Sequence, residues 1–172
     1  MSPLDPLEIC ATAQHHGIPT RLLDWTRRPL VAAFMAAEDA IRKGFDRVAG
    51  KALSVWAFNY GADQRAMKQG RVKRVFPYRG SNAFLRAQDG VFLWESEVEC
   101  LHVTFGAWPS IDEAIEKDAR LAGCLQKLIM PASESPALLK LLRIEGITRA
   151  HLMPSLDNVA STAFPRDRQP AP

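Results

Sequence analysis

Leu30 to Ala37 is an unbroken run of eight apolar residues, LVAAFMAA, the longest in the chain. A helix that crosses a bilayer needs about 20, so the run has to be buried in protein. Thr26 stands before it as a candidate N-cap, with Pro29 in the first turn. Glu38, Asp39, Arg42, Lys43 and Gly44 follow it. The pattern predicts a helix over 27–43, apolar nearly all round at its start and amphipathic later. An apolar-all-round start predicts central burial. A chain of 172 residues is long enough to build that core, burying roughly 70% of its extended surface.

The other elements fall around this helix. Asp5 and Pro6 open a first helix that runs to about His16 and stops at Gly17. Pro19 forces extended backbone at Ile18, and Leu22 to Thr26 reads as a short strand. Ala52 to Phe58 alternates β-branched and aromatic residues and predicts a buried strand. Val72 to Phe76 and Val91 to Trp94 predict two more, with a helical turn over Phe84 to Gln88 and an Asp89-Gly90 turn between them. Val98 to Phe105 is extended, and Ser110 caps a helix over 111–121. Leu125 to Met130 reads as a strand, and Glu134 to Glu145 as an amphipathic helix closed by Gly146. Leu152, Met153 and Leu156 form an apolar plug, with Ser155 as a cap for a last turn. The expectation is a mixed α/β, α+β chain: one domain over 1–164, a small central sheet flanked by helices, and a disordered Pro-rich tail over 165–172.

The formal net charge is +3, too small to argue for nucleic acid by itself. Its distribution is uneven. Residues 1–90 hold 14 basic and 8 acidic residues, and residues 91–172 hold 8 and 11. Between Arg65 and Arg86 there are seven basic residues and no acid, with Phe76, Tyr78 and Phe84 interleaved. Arg71, Lys73 and Arg74 at its centre suit phosphates of a nucleotide or a nucleic acid; a solvated basic connector is the alternative. The three cysteines, Cys10, Cys100 and Cys124, have neither metal-ligand nor redox spacing, which fits a reducing, cytoplasmic setting. The N-terminus lacks the basic flank and apolar core of a secretory signal. There is no H-E-x-x-H and no C-x-x-C pair, so no metal site is expected.

Three segments stand out: Gln14 to Thr26, reading QHHGIPTRLLDWT and followed by Pro29 to Phe34; Arg86 to Phe92, reading RAQDGVF; and Leu152 to Asn158, reading LMPSLDN. In this order they resemble the FRG domain, a bacterial and phage family named for a Phe-Arg-Gly motif, over about Ala11 to Phe164. In that family the name-giving motif lies upstream of the QHHG-like segment, where this chain has none. Tyr78-Arg79-Gly80 has the look of the motif but lies after that segment, so the role is not carried to Arg79. The resemblance implies that the chain holds the middle and end of such a domain without its front.

The residues themselves admit two readings. His15, His16, Thr20, Arg21, Asp24 and Thr26 form a dense polar set beside Trp25. They are either a satisfied network, with Arg21 paired to Asp24, or a ligand pocket. In the pocket reading Trp25 stacks, Arg21 clamps a phosphate or carboxylate, His16 transfers protons, and Arg86 is a further ligand-binding candidate. Gln88 orients a ligand amide or ribose, or else bonds the backbone across the turn that follows it.

By analogy of layout this suggests a nucleotide-binding or NAD-binding pocket domain related to ADP-ribosyltransferases. There an early strand carries an Arg or His, then a strand ending in Ser/Thr runs into a buried helix, and a late strand carries a catalytic Glu or Gln; the first of these is not expected in this chain. Leu22 to Thr26 and Gln88 occupy the second and third of these places, with His16 and Gln88 as the catalytic candidates. The alternative is a non-enzymatic nucleotide- or nucleic-acid-binding module built on Arg65 to Arg86. A weaker one is a toxin or phage-defence nuclease, for which Asp24, Asp89 and Asp157 are isolated carboxylates. Neither a membrane nor a particular partner protein is implied.

Overall fold

Helix α1 (Pro6–His15) ends where glycine permits a left-handed residue. Gly17 has φ +82°, its N–H donates to the Gln14 carbonyl, and that of Ile18 donates to Ala13. This is a Schellman stop, two bonds that satisfy carbonyls the last turn would leave open. The computed structural model describes residues 6–15, 17–18, 20, 22–44, 50–59, 72–76, 83–95 and 123–163. The segments expected at 98–105 and 111–121, and the tail, lie outside the described residues.

Strand β1 (Leu23–Thr26) leads to α2 (Pro29–Lys43). Thr26 does not cap this helix. A residue before proline is pushed out of helical backbone, and Arg28 sits at φ −110°, ψ 105°, so the helix opens at Pro29, too far on. The Thr26 hydroxyl instead accepts from the Arg28 N–H at 3.0 Å. Nor is α2 buried all round. Val31, Phe34, Ala37 and Ala40 form one buried stripe, while Leu30 is exposed. The apolar residues off that stripe are mostly alanines, too small to demand a second partner.

Next come β2 (Ala52–Phe58), β3 (Val72–Val75), α3 (Ala83–Gln88), β4 (Gly90–Glu95) and β5 (Leu125–Pro131). A 3-10 turn (Ala132–Glu134) precedes α4 (Ser135–Ile144), α5 (Arg149–Leu152) and α6 (Leu156–Ala163). A second Schellman stop ends α4: Gly146 at φ +73° donates to Arg143, and Ile147 donates to Leu142 at 2.8 Å. Leu142 and Ile147 also share one buried cluster, the apolar contact that accompanies this motif.

The architecture is mixed α/β, with two small antiparallel sheets plus helices in place of one central sheet. One has strand order β1-β4-β3 and the other joins β2 to β5. In the first, Lys73 opposes Trp94 and Val75 opposes Phe92. In the second, the bond from Ala132 N–H to Lys51 and the bond from Asn59 N–H to Cys124 bracket the ladder in a single register. Of β2 only Leu53 is buried. Among the described residues, the strand expected in the interior has one neighbour and is mostly half-buried or exposed.

The described contacts divide into two compact units. The first takes Met1–Trp25, Ser54–Pro77 and Val91–Met130; the second takes Thr26–Leu53, Tyr78–Gly90 and Pro131–Pro172. The first is built on Ala11, Leu22, Val75 and Phe92, with Leu7 and Trp94 packed against them. The second is built on Val31, Phe34, Leu142, Ile147 and Leu152, where α4 lies along α2. Leu152 is fully buried there and Met153 packs beside it, but Leu156 is 89% exposed. Leu156 therefore leaves the expected plug. It opens α6, where Ser155 accepts from the Asn158 N–H as an N-cap.

Candidate functional site

In the first unit a chain of polar groups joins α1 to β1. Gln14, in the last turn of α1, donates from Nε2 to Asp24 Oδ2 at 3.1 Å. Its Oε1 accepts from the Thr20 hydroxyl, which in turn accepts from the Leu22 N–H at 3.2 Å. The Schellman stop sets the reach, because it turns the chain back so that residues 20–24 pass the helix end. Gln14 is the hub, and sequence reasoning missed it. An amide that both donates and accepts can join a hydroxyl to a carboxylate, and Gln14 heads the QHHG string. Surrounding atoms desolvate Asp24 and push its carboxyl above the usual range, while the Gln14 amide pulls it partly back.

Trp25 projects from β1 on the side opposite Asp24, since neighbouring strand residues alternate. Its ring meets Phe58 at 6.0 Å and 55°, a tilted geometry that aromatic pairs favour. Among the described residues the same unit carries three cations over rings. Lys73 Nζ lies 5.3 Å from the Trp94 centroid, the Arg74 guanidinium 5.6 Å from Phe76, and Lys127 Nζ 4.6 Å from Trp56. Lys73, Arg74 and Lys127 are exposed. Of the aromatics interleaved in the basic stretch, Phe76 meets a cation; Trp94 and Trp56 lie outside that stretch, and Tyr78 lies outside the described residues.

Thr26, Arg86 and Gln88 belong to the second unit. The Thr26 hydroxyl donates to the Gln88 carbonyl at 2.6 Å. Arg27 bonds Asp89 twice, through backbone N–H at 3.3 Å and through its guanidinium at 2.5 Å, and Arg28 reaches the Ala87 carbonyl at 3.4 Å. The entry to α2 is thereby clamped to the turn after α3. Asp89 itself takes φ +48°, a left-handed position that Asp tolerates better than most residues. Gln88 donates its side-chain amide to the Leu152 carbonyl at 3.1 Å, a bond to the end of α5 and not across its own turn. Arg86 is exposed on α3.

The expected site residues are therefore shared between units. Thr20, Asp24, Trp25, Lys73 and Arg74 lie in the first, and Thr26, Arg86 and Gln88 in the second. His16, Arg21 and Arg71 lie outside the described residues, as does the side chain of His15. Among the described residues no three His, Cys, Asp or Glu side chains group to hold a metal, and no helix is long and apolar enough to cross a membrane.

The family model of the FRG domain matches residues 2–44, the stretch holding α1, β1 and α2. The RAQDGVF and LMPSLDN segments lie beyond that match. No curated protein and no solved structure matches the chain.

Proposed function

With α1, β1 and α2 carrying sequence that the FRG-domain model matches, we propose that the chain is a nucleotide-binding module that works through the cation–ring pairs of the first unit. The observation that carries this is the set of three cation–ring pairs. Three such pairs fall in this unit among the described residues, each with an exposed cation within 6 Å of a ring centroid. Lysine and arginine meet phosphates, and aromatic rings stack bases. Trp94 and Trp56 lie under Lys73 and Lys127, so ligand binding should change tryptophan fluorescence. Titration with nucleoside triphosphates at low salt tests the proposal. Saturable quenching that weakens in Lys73→Gln and Lys127→Gln supports it, and a flat titration at low salt overturns it.

One bond favours a second reading, an ADP-ribosyltransferase-like use of NAD. Thr26 ends β1, Gln88 ends α3 just before β4, and the Thr26 hydroxyl donates to the Gln88 backbone carbonyl, which brings a Ser/Thr strand end beside a late Gln. Gln88 would orient a ribose hydroxyl through Oε1 while Nε2 stays on Leu152. Incubation with NAD followed by mass spectrometry tests this reading, and absence of released nicotinamide sinks it.

A further inference from the structure

We infer that the exposed face of α4 is a dimer interface, and that its occupant is a second copy of this chain, docked with its own α4 parallel across a two-fold axis. The inference concerns the second unit and stands apart from the nucleotide reading.

Helix α4 is apolar on two opposite faces. Leu138, Leu139 and Leu142 meet the core with Val31 and Phe34 of α2. Ala137, Leu141 and Ile144 recur at the i, i+4, i+7 spacing of a second stripe. All three are exposed, Leu141 by 62% and Ile144 by 80%. A helix that only covers a core needs one such stripe. Apolar residues exposed singly are ordinary on any surface; this set differs in its regular spacing and in its borders. Lys140 flanks the stripe on one side and Glu145 on the other. The Glu145 N–H still donates to the Leu141 carbonyl at 3.3 Å, so Glu145 keeps a helical place at the end of α4. Both side chains are exposed, and neither forms an ion pair among the described residues.

The borders choose the occupant. When two parallel helices pack stripe to stripe across a two-fold axis, each sets one flank against the opposite flank of the other. Lys140 then runs beside Glu145 of the partner subunit, and symmetry makes the pair twice. Charges on such flanks set the choice and orientation of helix partners. An antiparallel copy brings like flanks together, lysine on lysine and glutamate on glutamate. The face is therefore complementary to itself in one orientation, as an isologous interface requires. Ten residues of helix span about 15 Å. One face of that length supplies less than the roughly 800 Å² per partner of a standard interface, so the dimer belongs to the weak, transient class.

Sedimentation equilibrium of the full chain tests this over a range of about 1 μM to 1 mM. The expected result is a reversible monomer–dimer equilibrium with no larger species. Leu141→Ser/Ile144→Ser should leave the chain monomeric. Its thermal melt at low concentration should match that of the parent, because both side chains are exposed. Lys140→Glu and Glu145→Lys should each weaken the dimer about tenfold, since each turns two attractive pairs into repulsive ones. Lys140→Glu/Glu145→Lys should restore it, because the pairs re-form with their signs exchanged. A monomer at every concentration overturns the inference. So does association that the serine pair leaves in place, and so does a dimer that neither single reversal weakens.

Discussion

Gln14 Nε2 donates to Asp24 Oδ2 at 3.1 Å, so the last turn of α1 supplies the partner that a carboxylate on β1 needs. Burial raises the Asp24 carboxyl above its ordinary value in spite of this bond. A raised carboxyl binds its proton more tightly folded than unfolded. Its contribution to stability is therefore full below the unfolded value and is lost as pH rises through the folded one. Asp24→Asn keeps an oxygen for Gln14 and should remove that loss. Urea denaturation as a function of pH checks this: the variant's stability curve should fall less steeply over the acidic range. Gln14→Ala should push the Asp24 carboxyl higher still, read by NMR titration.

Thr26→Val keeps the shape of the side chain and removes two hydrogen bonds, to the Gln88 carbonyl and from the Arg28 N–H. The expected loss is about 1–3 kcal/mol by chemical denaturation, at roughly 0.5–1.5 kcal/mol for each bond. An unchanged midpoint would mean that water replaces both partners.

Leu152 and Leu156 are four residues apart and should respond oppositely. Leu152 is fully buried and Leu156 is 89% exposed. Leu152→Ala should cost about 2–5 kcal/mol, from lost transfer energy and a cavity against Val31 and Phe34. Leu156→Ser should leave stability within about 0.5 kcal/mol and lower any tendency to aggregate. Thermal melts and light scattering measure both.

Two arginines separate tying a fold together from decorating it. Arg149 bonds Glu38 of α2 at 2.8 Å and the Asn158 side chain at 2.9 Å, and Asn158 in turn holds the Met153 carbonyl. Arg149→Ala should cost roughly 1 kcal/mol, discounted for a half-open pair. Among the described residues Arg42 pairs along its own helix, with Asp39, on an exposed face, and Arg42→Ala should shift the melting temperature by no measurable amount.

Local rules were legible in the residues. The strand over 52–58, the stops at Gly17, Gly44 and Gly146 and the Ser155 cap all follow from periodicity and backbone preference. Where two local rules compete, the reading slips: Thr26 is a good N-cap, but Pro29 decides where α2 begins. Side-chain partners were less legible. Asp24 calls for a hydrogen-bond donor, but spacing cannot choose Gln14, because the choice depends on how the chain turns after α1. Gln88 reaches Leu152 across 64 residues, a pairing that only the packed second unit creates. Leu156 looks like Leu152 in sequence, and the difference between them is which side of a short helix start each occupies.

The chain passes between its two units at Trp25–Thr26, Leu53–Ser54, Pro77–Tyr78, Gly90–Val91 and Met130–Pro131. No single cut in the polypeptide releases either unit whole, and any terminal deletion that reaches past one of these crossings removes material from both. The units are thus inherited together. A recombination event cannot shuffle one into another protein as a cassette, and a fragment made to study one alone requires circular permutation and rejoined ends, not truncation.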